Sequence, residues 1–243
     1  MPELRYHHIG IPTSVPRPDE EYSEKYKTYT SGYFQSPYGI EWMRFEPDCP
    51  FPELVKTVPH VAFIVDNLKA TITDKEVLVG PVSPAGGVTT ATIVHNGAPV
   101  EFIQFDRPES GIWPHSAKKE AMLELKYHHF GIPTDTPRPE DEYLAEYKTY
   151  ASGYIQNPYG VEWMRFEPSF SLPELVKTVP HVAFVVDNLK KAIAGKVLLG
   201  EPDSPSKGVT VAMIVDNGAP VEFLQFDGPG FEVWPRNAKF RPE

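Results

Sequence analysis

The chain has a single cysteine, a shortage of basic residues and no long apolar run. Cys49, alone in 243 residues, excludes an intrachain disulfide and any thiolate-rich zinc site. Phe170 stands at the matching place in the second half, which marks Cys49 as a small apolar filler. Lysine and arginine number 23 against 33 acidic residues, a formal charge of -10. Nucleic-acid backbones and anionic membranes both reward basic surfaces, so neither is expected as a partner. No apolar stretch approaches the roughly 20 residues that span a bilayer, and the N-terminus lacks the basic-then-apolar pattern of a leader. A cytoplasmic location is therefore expected. Proline is the one excess, 27 residues, which implies many turns and strand edges.

What is present is repetition. His60-Val-Ala-Phe-Ile-Val-Asp66 returns almost unchanged as His181-Val-Ala-Phe-Val-Val-Asp187, and shorter versions occur as His8-Ile-Gly-Ile and His129-Phe-Gly-Ile. Each histidine opens the pattern histidine, apolar, small, apolar. Each is followed, 33 or 41 residues later, by a strand-like segment with one glutamate among apolar residues: Glu41, Glu101, Glu162 and Glu222. The first half maps onto the second at a constant offset of 121 residues. This is a tandem duplication of a unit of ordinary domain size, with the two domains expected over residues 1–119 and 120–243.

Within each half the elements follow from local signals. Arg5 to Pro12 reads as a strand running into a proline-rich turn. Glu20 to Tyr29 predicts a helix, with acidic residues at its start and Tyr22, Tyr26 and Tyr29 at helical spacing, repeated as Tyr143, Tyr147 and Tyr150. Core packing is the default expectation for that stripe. Ser36-Pro37-Tyr38-Gly39 is a turn leading into the Glu41 strand. Pro47 to Pro59 reads as a connector. His60 to Val65 reads as a strand, capped by Asp66-Asn67 into a short helix over Leu68 to Lys75. Asn96-Gly97, repeated as Asn217-Gly218, predicts a hairpin between Val88–Val94 and Pro99–Phe105. Ser116 to Leu125 has good helix formers and reads as a helical linker. Each half thus contains two units, each opening on a histidine strand and closing on a glutamate strand. The second reads βαβββ; the first is shorter, as if its middle strands were abbreviated.

The paired His and Glu residues carry the chemistry. Glu41 shares its strand face with Met43 and Phe45, and Glu101 with Ile103 and Phe105. An ionised carboxylate among apolar side chains is costly unless a cation or donors satisfy it. Arg44 lies across the sheet from Glu41 and cannot serve. A divalent metal taking imidazole nitrogens and carboxylate oxygens together satisfies both residue types and leaves positions open for substrate. The competing reading is plain structure: a strand histidine is commonly a satisfied core residue and a lone strand glutamate a surface one. His7 and His128 adjoin the candidates; strand neighbours face opposite ways, so only one of each pair is expected to face the site, and His7 and His128 are expected to be structural or to support the ligands from behind.

These motifs resemble the vicinal oxygen chelate superfamily, which includes glyoxalase I, methylmalonyl-CoA epimerase, fosfomycin-resistance proteins and extradiol dioxygenases. The resemblance rests on His8-Ile-Gly-Ile, Tyr38-Gly39-Ile40-Glu41-Trp42, His60-Val-Ala-Phe-Ile-Val-Asp66-Asn67-Leu68 and Val100-Glu101-Phe102-Ile103, with their copies. It implies an α+β, glyoxalase-like fold of tandem βαβββ modules forming cupped mixed sheets. It implies metal ligands at His8, Glu41, His60 and Glu101, and at His129, Glu162, His181 and Glu222. The ion would be Zn, Ni, Mn, Co or Fe. By the same resemblance the chain is expected to be an enzyme of lyase, isomerase or epimerase type, stabilising an anionic intermediate on a small substrate, with Glu101 or Glu222 as catalytic base. An iron-dependent dioxygenase and a non-catalytic binding or resistance protein are the alternatives. In the latter, Trp42, Phe102, Trp113 and their copies Trp163, Phe223 and Trp234 would line an apolar cup. Both a homodimer and a pseudo-dimeric monomer fit the duplication.

Overall fold

A computed structural model describes residues 4–113, 125–154 and 157–228. The chain divides into two compact units, Met1–Leu123 and Glu124–Glu243. Apart from Leu125, the expected linker helix over Ser116 to Leu125 lies outside the described residues, as does Trp234. Among the described residues no helix is long and apolar enough to cross a membrane.

The first unit contains β1 (Arg5–Pro12), β2 (Glu21–Ser23), β3 (Thr28–Ser31), β4 (Ile40–Phe45), α1 (Glu53–Thr57), β5 (His60–Ile64), α2 (Leu68–Ile72), β6 (Val77–Val82), β7 (Val88–His95) and β8 (Ala98–Phe105). All eight strands join one curled mixed sheet, ordered β2-β3-β4-β1-β5-β8-β7-β6. β1 and β5, the opening strands of the two modules, pair antiparallel at its centre. Each also pairs in parallel with the closing strand of its own module, β1 with β4 and β5 with β8.

Strand alternation separates the two faces. Val61, Phe63, Val100 and Phe102 are almost fully buried on the face opposite His60, Ala62 and Glu101. Burial of each such side chain contributes about 2 kcal/mol before entropy is counted. α2 packs on that apolar face: the side chain of Gln104, in phase with Phe102, accepts from the Leu68 N–H at 2.7 Å. Asn67 caps the helix by accepting from the Ala70 N–H at 2.9 Å, the expected role. Asn96 and Gly97, both in left-handed conformations, turn β7 into β8 as the dipeptide predicts.

The second unit repeats this order with β9 (Lys126–Pro133), β10 (Glu142–Leu144), β11 (Thr149–Ser152), β12 (Val161–Phe166), α3 (Glu174–Thr178), β13 (His181–Val185), α4 (Leu189–Ala192), β14 (Asp203–Ser206), β15 (Val209–Asp216) and β16 (Ala219–Phe226). Its sheet order is the same, β10-β11-β12-β9-β13-β16-β15-β14. Two curled mixed sheets with few short helices give the expected α+β class.

Four expectations need correction. Glu20 to Tyr29 is a strand hairpin, not a helix: Tyr22 faces Tyr29 across β2 and β3, with ring centroids 4.6 Å apart. Lys27, at φ 52°, breaks the helical path, and Thr28-Tyr29-Thr30 is β-branched and aromatic. Nor is the tyrosine stripe core, since Tyr22 is 44% exposed and Tyr26 stacks on Phe51 at 5.4 Å. The abbreviation of the first module therefore removes its helix and keeps all its strands. Finally, the connector Pro47 to Pro59 holds the short helix α1.

Candidate metal centre

The sheet register brings the four candidate residues of each unit onto one face. Gly10 lies opposite both Glu41 on β4 and His60 on β5, forming the row Glu41, Gly10, His60. One step along, Ala62 lies opposite both His8 on β1 and Glu101 on β8, forming the row His8, Ala62, Glu101. His8 and Gly10 are two residues apart, as are His60 and Ala62, so both rows project from the same side. The repeated pattern of histidine, apolar, small therefore has a physical reason. Gly10 and Gly131 are the places over which the partner strand's imidazole lies. A Cβ added at Gly10 would sit 2.0 Å from His60 Cε1, inside the ring's own volume.

The functional atoms converge. His8 Nε2 lies 3.1 Å from His60 Nε2, 3.6 Å from Glu41 Oε2 and 3.5 Å from Glu101 Oε2. His60 Nε2 lies 3.7 Å from the same Glu101 oxygen. One ligand atom each from His8, His60 and Glu101 lies within 4.8 Å of the others, a group that could hold a metal ion. Both imidazoles are buried. Burial pushes His60 down to about 4, so it is neutral, with a lone pair to offer. Burial, and then the charge of Glu41, push the Glu101 carboxyl up to about 8 against a hydrogen bond from Thr90 that works the other way. A neutral His60 beside His8 and two carboxyl groups, one of which disfavours the ionisation of the other, fits a divalent cation.

The second unit builds the same rows, Glu162, Gly131, His181 and His129, Ala183, Glu222. Gly131 accommodates the His181 ring as Gly10 does that of His60. His129 Nε2 lies 3.2 Å from His181 Nε2 and 3.6 Å from Glu162 Oε2. Glu222 Oε2 lies 3.1 Å from His129 Nε2 and 3.6 Å from His181 Nε2, and these three residues form the second candidate group. Here burial again raises the carboxyl of Glu222, but hydrogen bonds from His129 and His181 outweigh it and hold the group well below the usual carboxylate range. Each unit thus assembles its four residues from its own strands.

Strand alternation does not hold at His7, although the expected supporting position of His7 and His128 beside the ligands is found. The β1–β5 register shifts between Tyr6 and His8, a bulge at His7 that cancels strand alternation. His7 lines the same cavity as His8, and their Nδ1 atoms are 2.6 Å apart. Gly39, at φ +68°, is required beside this bulge: a Cβ there would lie 2.6 Å from the His7 carbonyl oxygen. Tyr33 and Glu109, neither of them singled out by the sequence, complete the surroundings. The Tyr33 hydroxyl lies 2.6 Å from His7 Nε2 and donates to Glu109 Oε1 at 2.7 Å. Burial and the Glu109 charge push that phenol far up, so it stays protonated. His128, His129 and Tyr154 repeat the first links at 2.8 Å and 2.8 Å. The recurrence of adjacent histidines in both halves was the available signal.

Above the paired rows lie cavities of about 320 Å³ in the first unit and about 530 Å³ in the second. Of the aromatic residues expected to line a cup, Trp113 does so. Phe102 and Phe223 instead lie in the core, and Trp42 and Trp163 lie under Arg17 and Arg138. Tyr26 and Tyr147, expected as packing, line the cups. Arg44 pairs with Glu20 at 3.0 Å, away from Glu41.

No family model and no curated protein matches the sequence. Solved structures do. A variant of 4-hydroxymandelate synthase from Streptomyces coelicolor superposes with a TM-score of 0.52 at 13% identity, covering 94% of each chain. A hypothetical protein from Staphylococcus aureus gives a TM-score of 0.44 at 14% identity, covering 92% of this chain and 100% of the other. Together with the two curled sheets, the first likeness establishes a tandem-duplicated fold of the vicinal oxygen chelate type.

Proposed function

We propose that each unit is a divalent-metal site and that the chain is an enzyme acting on a small molecule bound through two neighbouring oxygens. The observation that carries this reading is the twofold occurrence of two buried imidazoles and a carboxylate, with ligand atoms within 4.8 Å of one another, on the floor of a cup. His8, His60, Glu101 and Glu41 would hold the ion in the first unit, and His129, His181, Glu222 and Glu162 in the second. A bound divalent ion supplies positive charge against the negative charge that develops on the substrate oxygens. Glu101 and Glu222 would serve as the bases. Proton transfer at a carbon next to the bound oxygens, the chemistry of isomerases, epimerases and some lyases, follows from those bases. No lysine or arginine is among the described residues lining either cavity, while Glu21 lines the first and Glu140, Glu142, Glu201 and Asp203 the second. The substrate is accordingly neutral or cationic, and phosphorylated or thioester-nucleotide substrates are disfavoured.

A second reading has its own support. The tight group in each unit is two histidines and one carboxylate, the donor set of non-haem iron oxygenases, with Glu41 and Glu162 outside it. The structural likeness to a synthase of 4-hydroxymandelate is compatible with it. The test is metal analysis of untagged protein purified without chelators, followed by loading with each divalent ion and assay with catechol as a chelating probe. One ion per unit, with one lost in His60→Ala and the other in His181→Ala, supports the site. Catechol binding that survives Glu101→Gln while turnover is lost supports the base. Oxygen uptake restricted to the iron form supports the second reading in place of the first. A chain that cannot be loaded with any divalent ion overturns both.

A further inference from the structure

The register that gathers the donors also places a set of hydroxyl groups around the first cup. Thr30 on β3 lies opposite Met43, two residues past Glu41, and Thr90 on β7 lies opposite Ile103, two residues past Glu101. The two threonines therefore hold the same place relative to the two glutamates, on opposite sides of the donors, and project from the donor face. Thr92 lies opposite Glu101 itself. All three line the cavity, as does Ser23 from β2. The second unit has Ala151 opposite Met164, Val211 opposite Leu224 and Met213 opposite Glu222, with Leu144 in the place of Ser23. These four line the second cavity. The difference is selective. Thr28, whose hydroxyl donates to the Tyr26 carbonyl at 3.0 Å, has its copy in Thr149, which donates to the Tyr147 carbonyl at 2.6 Å. Among the described residues, Ser23, Thr30 and Thr92 make no side-chain hydrogen bond. The hydroxyl that serves the fold is thus common to both units, and those that face the cavity differ together.

We propose that the two cups of this chain take different ligands. The first takes a chelating molecule that carries a further hydroxyl or carbonyl oxygen, recognised by Ser23, Thr30, Thr90 and Thr92. The second takes a chelating molecule with an alkyl or aryl group in the same place. The inference rests on the metal-site reading for the oxygens that anchor each ligand; the walls stand apart from it. A ligand oxygen set against the threonines exchanges hydrogen bonds to water for hydrogen bonds to the wall. An alkyl group there strips water from the wall hydroxyls and offers them no partner. Leu144, Ala151, Val211 and Met213 reverse the preference, because they reward buried apolar area and leave a ligand hydroxyl unpaired. Thr90 also bonds to Glu101, so this hydroxyl joins the wall of the first cup to its donors. On this assignment the duplication yields two activities with one floor, rather than two copies of one activity.

The test uses the full chain loaded with zinc, with one unit silenced at a time by His60→Ala or His181→Ala. Calorimetry under argon compares two probes that differ by one group, 3,4-dihydroxybenzyl alcohol and 4-ethylcatechol, the second having a methyl where the first has a hydroxyl. The first unit should prefer the alcohol and the second the ethyl compound, with affinity ratios about 10-fold apart. Val211→Thr with Met213→Thr should move the ratio of the second unit towards that of the first. Thr30→Val with Thr92→Val, which spares the bond from Thr90 to Glu101, should move the first towards the second. Unsubstituted catechol, measured on every variant, reports that the floor is intact. The comparison of the two unaltered walls decides the matter even where a wall variant fails to fold. Equal preference in both units, or ratios unmoved by both exchanges while zinc and catechol still bind, overturns the proposal alone. Absence of zinc from both units overturns the metal-site reading and this inference with it.

Discussion

The two cups share a floor and differ in their walls. Ser23, Thr30, Thr90 and Thr92 line the first, and the equivalent positions of the second carry Leu144, Ala151, Val211 and Met213. The rim shows the reverse at one place, where Val82 becomes Asp203. The loss of Thr90 also removes the hydroxyl that bonds to Glu101, and Glu222 lies closer to its histidines than Glu101 does, at 3.1 Å against 3.5 Å. Identical donor sets therefore sit in different electrostatic states. Duplication preserved the register of the central strands, which sets where the donors are. It left the neighbouring side chains free to change what those donors face.

The harshest way to break the comparison is to fill the space under one imidazole at a time. Gly10→Ala drives a methyl into the His60 ring and Gly131→Ala does the same at His181, so each should halve the metal content of the chain. Elemental analysis of both variants checks this; loss of both ions from either single variant would show that the units do not load independently.

A smaller effect separates the units by pH. Glu101 is pushed up to about 8 from 4.5, so ionising it costs more in the fold than in the unfolded chain. Metal-free, the first unit loses stability as pH rises from about 4.5 to about 8. His60, pushed down from 6.5 to about 4, acts oppositely, removing stability as pH falls through that range. Of these two groups, Glu101 is the one whose contribution changes between about 6.5 and 8. Glu222, held low, contributes stability above its unfolded value and loses it only in acid. Amide exchange on chelator-treated protein, corrected for intrinsic rates, should show the first unit loosening across that window and the second holding steady. Parallel behaviour of the two units would remove this distinction.

The walls can be exchanged directly. Thr90→Val with Thr92→Met gives the first cup the side chains of the second. It should bind an alkyl-substituted catechol about 10-fold more tightly there, on the scale of one or two buried methylene groups. Calorimetry with the second site disabled by Gly131→Ala reads this, and unchanged affinity would locate ligand discrimination elsewhere. The smallest effect should be equal in both units: Asn67→Ala and Asn188→Ala each remove a helix cap and cost about 1 kcal/mol by denaturant unfolding.

Much of the site was legible because repetition exposed it. The eight His and Glu positions, the order of their strands and the Asn-Gly hairpins were all readable from one chain compared with itself. The reason for the small residue two places after each histidine was not, since it appears only when β1 and β5 are set side by side. The tyrosine spacing misled because a seven-residue separation, Tyr22 to Tyr29, suits two helical turns as well as a tight hairpin. His7 misled because a bulge is an exception to alternation with no fixed sequence sign. Glu109 was invisible for a different reason: it lies in a short turn after β8 and has no copy in the second half, so symmetry could not point to it.

The two rows of the floor also have a history written into them. Exchanging β1 with β5 and β4 with β8 turns the row Glu41, Gly10, His60 into the row Glu101, Ala62, His8, so each cup is related to itself by a local twofold axis between its opening strands. One module contributes half of the donors and cannot complete the set. An ancestral peptide about a quarter of the present length, pairing with a second copy through its first strand, would have assembled all four donors at once. On that view the site is older than the chain that now carries it, and two successive gene fusions made permanent what began as an encounter between identical molecules.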